Sequence, residues 1–146
     1  MTEDGAAELV SRPINLLLVD DDDVDAMNLQ RALDRGKIAT MLYRAVDGVE
    51  ALAMLRDGRV PRERRLVLLD INMPRMNGIE LLRELRGDPQ LQLTPVVALT
   101  TSNDDRDRIE AYRLNVAGYL LKPVTFTAFV EMMTALSQYW NLVEMP

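Results

Sequence analysis

The chain contains neither cysteine nor histidine. Without cysteine it forms no disulfide bond, offers no thiolate to a metal ion and has no cysteine nucleophile. Without histidine it has no Ser-His-Asp triad, no imidazole-bound zinc and no residue that could act as a phosphohistidine. A metal ion bound by its side chains must therefore be held by oxygen atoms, which favours Mg²⁺, Mn²⁺ or Ca²⁺.

Long apolar segments are absent as well. The longest apolar runs, such as residues 14–19 and 66–69, have the length of a strand and are far too short to span a bilayer. The chain opens with the acids Glu3, Asp4 and Glu8, whereas a signal peptide opens with basic residues and continues into an apolar stretch. We therefore expect a cytoplasmic protein that does not insert into a membrane.

Acidic residues outnumber basic ones by 23 to 17, which gives a formal net charge of −6. This excess argues against nucleic-acid binding through a general basic field. The basic cluster that begins at Arg59 and ends at Arg65 is interrupted by Glu63, and we interpret it as a solvated loop. With 146 residues, of which 48% are hydrophobic and 27% charged, the composition is typical of one globular domain.

Strand and helix patterns alternate after residue 12. The predicted strands are residues 14–19, 41–46, 65–70, 96–99 and 118–121. The predicted helices are residues 24–35, 49–57 and 104–114, a helix that Asn77 and Gly78 open and Gly87 ends, and a final helix that Thr125 caps and that runs to about Asn141. Five such units predict an α/β domain with a doubly wound, five-stranded parallel sheet and helices on both faces. We interpret residues 1–12 as an N-terminal leader and residues 13–146 as the domain.

Five polar residues follow or end apolar strands. They are the acid pair Asp20 and Asp21, then Asp70, Thr100 and Lys122. The carboxyl ends of parallel strands meet at one edge of an open α/β sheet, where ligands bind, so we expect these side chains to lie together. Three carboxylates, a hydroxyl and an ammonium suit a hard divalent cation and a phosphoryl group.

The acidic run continues after the acid pair through Asp22, Asp23 and Asp25. For these three residues we favour an ordinary explanation, because aspartate is common at the N-cap and in the first turn of a helix. For the acid pair we favour a metal site, because Asp70 reaches the same edge from the neighbouring strand. Carboxylates that lie so close repel one another unless a cation lies between them, and Mg²⁺ is the natural choice.

Lys122 and Thr100 also have ordinary explanations. A lysine at a strand end needs no function, and threonine is common in strands. Thr101 and Ser102 offer alternative hydroxyls beside Thr100. The peptide bond between Lys122 and Pro123 can be cis, and a cis bond would turn the lysine back over the strand ends, toward a carboxylate or a phosphoryl oxygen.

In order and spacing, these motifs resemble the receiver domain of two-component response regulators. The resemblance covers the chain from Ile14 to about Asn141 and rests on the acid pair, LLDINMPRMNG, Thr100 and YLLKP. It implies a flavodoxin-like receiver fold and the function of a single-domain regulator, similar to those associated with bacterial phytochromes. Since little follows the receiver pattern, we expect no DNA-binding or enzymatic output domain and a readout through protein contact.

The resemblance also implies how the chain would take up a phosphoryl group. Asp70 would be the acceptor, and Thr100 and Lys122 would contact the phosphoryl oxygens. Tyr119 holds the position of the switch aromatic, which reports the state of Thr100 to the far face. The donor would be a phosphohistidine of a sensor histidine kinase or of a phosphotransfer protein, because the chain has no histidine of its own.

The metal site that the resemblance implies uses four residues. Asp21 would bind Mg²⁺ directly and Asp20 through a water molecule. Asp70 would contribute its carboxylate and Asn72 its backbone carbonyl. Mn²⁺ could replace Mg²⁺ at such a site.

Two other functions fit parts of the sequence. A haloacid-dehalogenase-type phosphatase would use Asp20 as its nucleophile, with Asp22 two residues later. It would also need a late acid pair, where this chain has Lys122 and Pro123, and a cap insertion for which the chain is too short. A pseudo-receiver that binds partners without being phosphorylated gains no support, because every site position carries a competent residue.

The final predicted helix is apolar on more than one face. Its core-facing stripe would consist of Phe126, Phe129, Val130, Met133, Leu136 and Trp140. A second apolar set would remain: Ala128, Met132, Ala135, Tyr139, Leu142 and Val143. Exposed apolar area of this kind marks an interface, so we expect a homodimer built on this helix. The alternative is that Leu9 and Val10 of the leader cover it.

Overall fold

The computed structural model describes residues 13–36, 39–73, 75–101 and 104–146. Within them five strands and five helices alternate along the chain. The strands are β1 (Ile14–Val19), β2 (Thr40–Ala45), β3 (Arg65–Leu69), β4 (Val96–Thr100) and β5 (Gly118–Leu121). The helices are α1 (Asp23–Arg35), α2 (Gly48–Arg56), α3 (Gly78–Gly87), α4 (Asp105–Arg113) and α5 (Phe126–Leu142). The predicted leader and Ser102 lie outside the described residues.

The strands form one parallel sheet in the order β2-β1-β3-β4-β5. This order confirms the predicted doubly wound fold. The chain moves outward from β1 to β2, then crosses back to β3 and continues outward on the other side. The direction of winding thus reverses between β1 and β3, and the crevice at their carboxyl ends is the expected ligand site of such a sheet.

Apolar side chains fill both faces of the sheet. Alternate residues of β1 point to opposite sides, so Leu17 and Val19 pack in the core layer under α2, α3 and α4, while Leu16 and Leu18 pack in the layer under α1 and α5. Every residue of β3 and β4 is buried. Because the central strands are covered on both faces, they hold the residues at their carboxyl ends in fixed positions.

Polar side chains set the starts of the helices, as the sequence predicts. Asn77 accepts a hydrogen bond from the backbone N–H of Glu80 at 3.0 Å and forms a capping box with that residue. The hydroxyl oxygen of Thr125 accepts the N–H of Ala128 at 3.1 Å at the start of α5. Asp22 is the N-cap of α1, which confirms its ordinary interpretation.

The packing of α5 corrects part of the prediction for this helix. Met133 and Trp140 are buried in the core, as predicted. Met132 and Val143, however, pack against the same core layer and do not belong to an exposed face. The reason is that α5 packs against α1 as well as against the sheet, so a larger part of the helix surface is covered. No helix in the described part of the chain is long and apolar enough to cross a membrane.

Candidate functional site

The predicted site residues come together at the carboxyl edge of the sheet. Asp20 and Asp70 directly follow β1 and β3, Thr100 ends β4, and Lys122 follows β5. The backbone N–H of Asp70 donates to the carbonyl of Val19 at 2.9 Å, and that of Lys122 donates to the carbonyl of Thr100 at 3.0 Å. The ladder of backbone hydrogen bonds therefore continues past the strands and fixes the residues that carry the site.

The carboxylates of Asp20, Asp21 and Asp70 form a cluster in which one oxygen of each residue lies within 4.8 Å of one oxygen of the other two. Mg²⁺ binds oxygens at about 2.1 Å, so its ligand oxygens lie no more than about 4.2 Å apart. The cluster therefore has nearly the size and the hard donor atoms that this ion requires. Asn72 donates its backbone N–H to Asp70 Oδ1 at 3.1 Å; that its carbonyl is a ligand stays a prediction.

The ammonium of Lys122 lies among three carboxylates. Its Nζ is 3.0 Å from Asp20 Oδ2, 3.3 Å from Asp70 Oδ2 and 2.5 Å from Asp25 Oδ2. The described residues contain no cis peptide bond, so the suggested cis bond before Pro123 is wrong. The long lysine side chain reaches the acids from a trans backbone.

These contacts shift the pKa values of two groups. Burial raises the pKa of Asp20 to about 6, although the N–H of Asp22 and the ammonium of Lys122 both favour its ionised form. Burial alone would lower the pKa of Lys122, but its contacts with Asp25 and Asp20 outweigh this effect and raise it. In the absence of a metal ion, Lys122 is thus the cation that partly balances the cluster.

Asp25 is a contact of the site that the sequence interpretation missed. The residue lies in the first turn of α1, but its carboxylate points to Lys122. Asp25 precedes the buried Leu29 by one helical turn, and residues spaced by four share one face of a helix. This spacing is the signal that could have placed Asp25 on the inner face of α1.

Arg44 on β2 is a second contact that the sequence did not indicate. Its Nη1 lies 2.6 Å from Asp23 Oδ1, while Nη2 donates to the backbone carbonyl of Asp20 at 3.1 Å. The guanidinium thereby fixes the loop that carries the acid pair. An arginine on an edge strand has no sequence pattern that predicts this role.

Gly78 allows α3 to begin directly against the Asp70 loop. Its N–H donates to the carbonyl of Ile71 at 3.1 Å. A Cβ atom at this position would lie 2.7 Å from both the carbonyl oxygen of Asp70 and the Cα of Ile71. Only glycine fits this approach without moving the backbone next to the site.

Tyr119 and Thr100 share one face of the sheet. In the register between β4 and β5, Tyr119 pairs with Ala98 and Leu121 pairs with Thr100. Residues two apart point to the same side of a strand, and Tyr119 packs against the core layer under α2, α3 and α4. Tyr119 therefore lies two residues before Leu121, the register partner of Thr100, and on the same face of the sheet as Thr100. That Tyr119 acts as a switch stays a prediction.

Comparison with known proteins adds independent information. A family model described as response regulator receiver domain matches residues 16–134. The chain is 35% identical over 130 residues to the probable methanogenesis regulatory protein FilR2 of Methanothrix harundinacea, which covers 88% of this chain and 84% of that protein. It is 35% identical over 131 residues to the response regulator Rcp1 of Synechocystis, which covers 88% of this chain and 89% of Rcp1.

Solved structures give the same result. The fold is similar to that of the phosphorylated cyanobacterial phytochrome response regulator RcpA, with a TM-score of 0.82, 31% identity and coverage of 92% of this chain and 99% of that chain. It is also similar to the Mn²⁺-bound form of Rcp1, with a TM-score of 0.79, 35% identity and the same 92% and 99% coverage. The similarity therefore extends over nearly the full length of both proteins.

Proposed function

Because the chain belongs to the family of response regulator receiver domains, we propose that it accepts a phosphoryl group on Asp70 with the help of Mg²⁺ or Mn²⁺. The observation that carries this proposal is the position of the Lys122 ammonium, 3.3 Å from Asp70 Oδ2 and next to a cluster of carboxylates. A nucleophilic carboxylate, a fixed cation and a site for a second cation are the groups that phosphoryl transfer needs.

In the proposed reaction, a carboxylate oxygen of Asp70 attacks the phosphorus atom of the donor. The bond between the donor and phosphorus breaks, and an acyl phosphate forms on Asp70. The ammonium of Lys122 neutralises charge on the phosphoryl oxygens as this happens, and Thr100 is assigned to donate its hydroxyl to one of them. A divalent cation, when bound, supplies further positive charge to the same oxygens.

The proposed metal ligands are the carboxylates of Asp20, Asp21 and Asp70, with the backbone carbonyl of Asn72. The size of the carboxylate cluster supports this assignment. The similarity to Rcp1, which has been solved in an Mn²⁺-bound form, supports a hard divalent cation.

The phosphoryl donor is proposed to be a phosphohistidine on a sensor histidine kinase or a phosphotransfer protein. These 146 residues contain no histidine, so the proposed phosphohistidine lies outside them. Similarity to a phytochrome response regulator supports a photoreceptor kinase as one such partner. The acyl phosphate on Asp70 would then change the surface that a further protein recognises, with Tyr119 and Thr100 as the switch.

Incubation of the purified chain with acetyl phosphate and Mg²⁺ tests the proposal. Intact-mass spectrometry is expected to show the addition of one phosphoryl group, and hydroxylamine is expected to remove it, because acyl phosphates react with this nucleophile. A parallel sample with EDTA is expected to remain unmodified. A chain that gains no phosphoryl group, either from acetyl phosphate or from a phosphorylated histidine kinase, would contradict the proposal.

We also propose that the chain forms a homodimer through α5 and the adjacent edge of the sheet. Tyr139 and Leu142 of α5 are 61% and 86% exposed, and Leu121 and Val124 next to this helix are exposed as well. Large apolar side chains are thus exposed near both ends of this helix, and exposed apolar surface of this kind marks an interface. A two-fold interface would bring each residue near its copy or near a neighbour of that copy.

Tyr139→Glu is therefore expected to convert the dimer into a monomer. A single substitution places two like charges in a symmetric interface, at a residue whose side chain is largely exposed. Size-exclusion chromatography with light scattering measures the change. Leu93→Glu is the matched control, because Leu93 is 71% exposed but lies in the loop that precedes β4. This variant is expected to leave the dimer intact. A wild-type chain that is monomeric both before and after phosphorylation would remove this part of the proposal.

A further inference from the structure

Asp25 holds the nearest of the three carboxylates around Lys122. The distance from Lys122 Nζ to Asp25 Oδ2 is 2.5 Å, compared with 3.0 Å to Asp20 and 3.3 Å to Asp70. An ammonium group has three N–H donors, and each of these acceptors can take one of them. Asp25 differs from the other two acids because it lies outside the candidate metal cluster.

We propose that Asp25 is a positioning residue that anchors the ammonium of Lys122 beside Asp70 while the phosphoryl group is transferred. The inference deepens the function proposed above and rests on it. It adds a residue of α1 to the phosphorylation machinery and gives it a role that acts through Lys122 alone.

The demands on the other two carboxylates explain why a separate anchor is needed. During transfer, an oxygen of Asp70 forms a bond to phosphorus and gives up negative charge. Asp20 faces the proposed cation, which competes with Lys122 for its oxygens. Asp25 has neither task, so its contact with Lys122 can persist when both other contacts weaken. The ammonium then keeps one fixed acceptor and turns its remaining donors to the phosphoryl oxygens.

The surroundings of the pair make the contact effective. The side chain of Lys122 is 13% exposed and that of Asp25 32% exposed, so water screens their attraction less than it does between surface charges. A cavity of about 70 Å³ adjoins the pair between α1 and α5 and is lined in part by Asn28, Phe126 and Phe129. Without Asp25, the lysine side chain would have room to move into this space and away from Asp70.

Asp25→Asn is expected to lower the rate constant of phosphorylation by acetyl phosphate about 10-fold, which lies within the loss that a misplaced catalytic group causes. Asp25→Glu, which keeps the charge, is expected to recover part of the rate. The matched control is Asp22→Asn. It removes one charge from the same segment and keeps the N-cap, because asparagine caps a helix as well as aspartate does. This control is expected to react at nearly the wild-type rate.

Two further measurements distinguish positioning from a general structural effect. The Mg²⁺ concentration that gives half of the maximal rise in unfolding temperature is expected to be similar in wild type and Asp25→Asn, because Asp25 is not a proposed ligand. In a Lys122→Met background, Asp25→Asn is expected to cause no additional loss of rate, because the residue to be positioned is gone.

Equal rates of Asp25→Asn and wild type would overturn the inference while leaving the proposed function intact. An equal loss in Asp22→Asn, or an undiminished loss in the Lys122→Met background, would also overturn it. A wild-type chain that is never phosphorylated overturns both.

Discussion

Asp70→Asn is expected to abolish the hydroxylamine-labile adduct. The amide of asparagine is not a nucleophile toward phosphorus, whereas the carboxylate is. The substitution should leave the fold intact, because asparagine has the same shape and its Oδ1 can still accept the backbone N–H of Asn72, as Asp70 Oδ1 does at 3.1 Å. Loss of a buried negative charge next to other carboxylates also removes repulsion. Intact-mass spectrometry after incubation with acetyl phosphate and Mg²⁺ measures the effect.

Chemical mapping shows which aspartate carries the phosphoryl group. Borohydride reduces an acyl phosphate to the alcohol, so a phosphorylated aspartate becomes homoserine and is identified in a peptide digest. We expect homoserine at position 70 in the wild type. Homoserine at position 20 would instead support the phosphatase alternative, in which Asp20 is the nucleophile. An Asp70→Asn chain that is modified as strongly as the wild type would refute the assignment of the acceptor.

Mg²⁺ is expected to raise the unfolding temperature of the wild type, and Asp21→Asn is expected to remove this response. A ligand that binds only the folded state stabilises it by about 1–3 kcal/mol when its concentration is 10 to 100 times its Kd. Asp21 is exposed and is the proposed direct ligand, so its loss removes an ionised ligand without opening a cavity. Differential scanning calorimetry with and without Mg²⁺ measures the shift. Asp22→Asn is the control, since it removes one charge next to the cluster and keeps all proposed ligands. A wild type that does not respond to Mg²⁺ would contradict the proposed site.

Asp20→Asn is expected to increase the stability of the metal-free protein at neutral pH. The pKa of Asp20 is raised from 3.8 to about 6 in the folded state. A raised pKa means that this group stabilises the fold below pH 3.8 and that this contribution is lost as the pH rises through about 6. At pH 7 the ionised group then costs roughly 2–3 kcal/mol. Asp20→Asn should therefore be more stable than the wild type at neutral pH without metal, and the difference should disappear toward pH 4. A gain that is independent of pH would contradict this explanation.

The fold and most of the site could be predicted from local patterns. Apolar runs of strand length alternate with amphipathic segments, and this alternation permits essentially one class of sheet. The positions of Asp70, Thr100 and Lys122 at strand ends follow from the same pattern. In a parallel sheet the ends of neighbouring strands meet at one edge, so sequence position alone predicts that these residues are neighbours.

Only the tertiary structure decided which other residues reach that edge. Asp25 and Lys122 are separated by 97 positions, and their contact depends on how α1 packs against the segment that follows β5. Arg44 reaches the loop of the acid pair from a neighbouring strand, and Met132 packs against the core because α1 covers one flank of α5. In each case the contact joins elements that are far apart along the chain.

The sequence by itself determined the elements and their polar ends, because propensity, periodicity and capping act over a few residues. The packing of those elements determined the partners of each polar end, because such contacts form only when distant segments fold against one another.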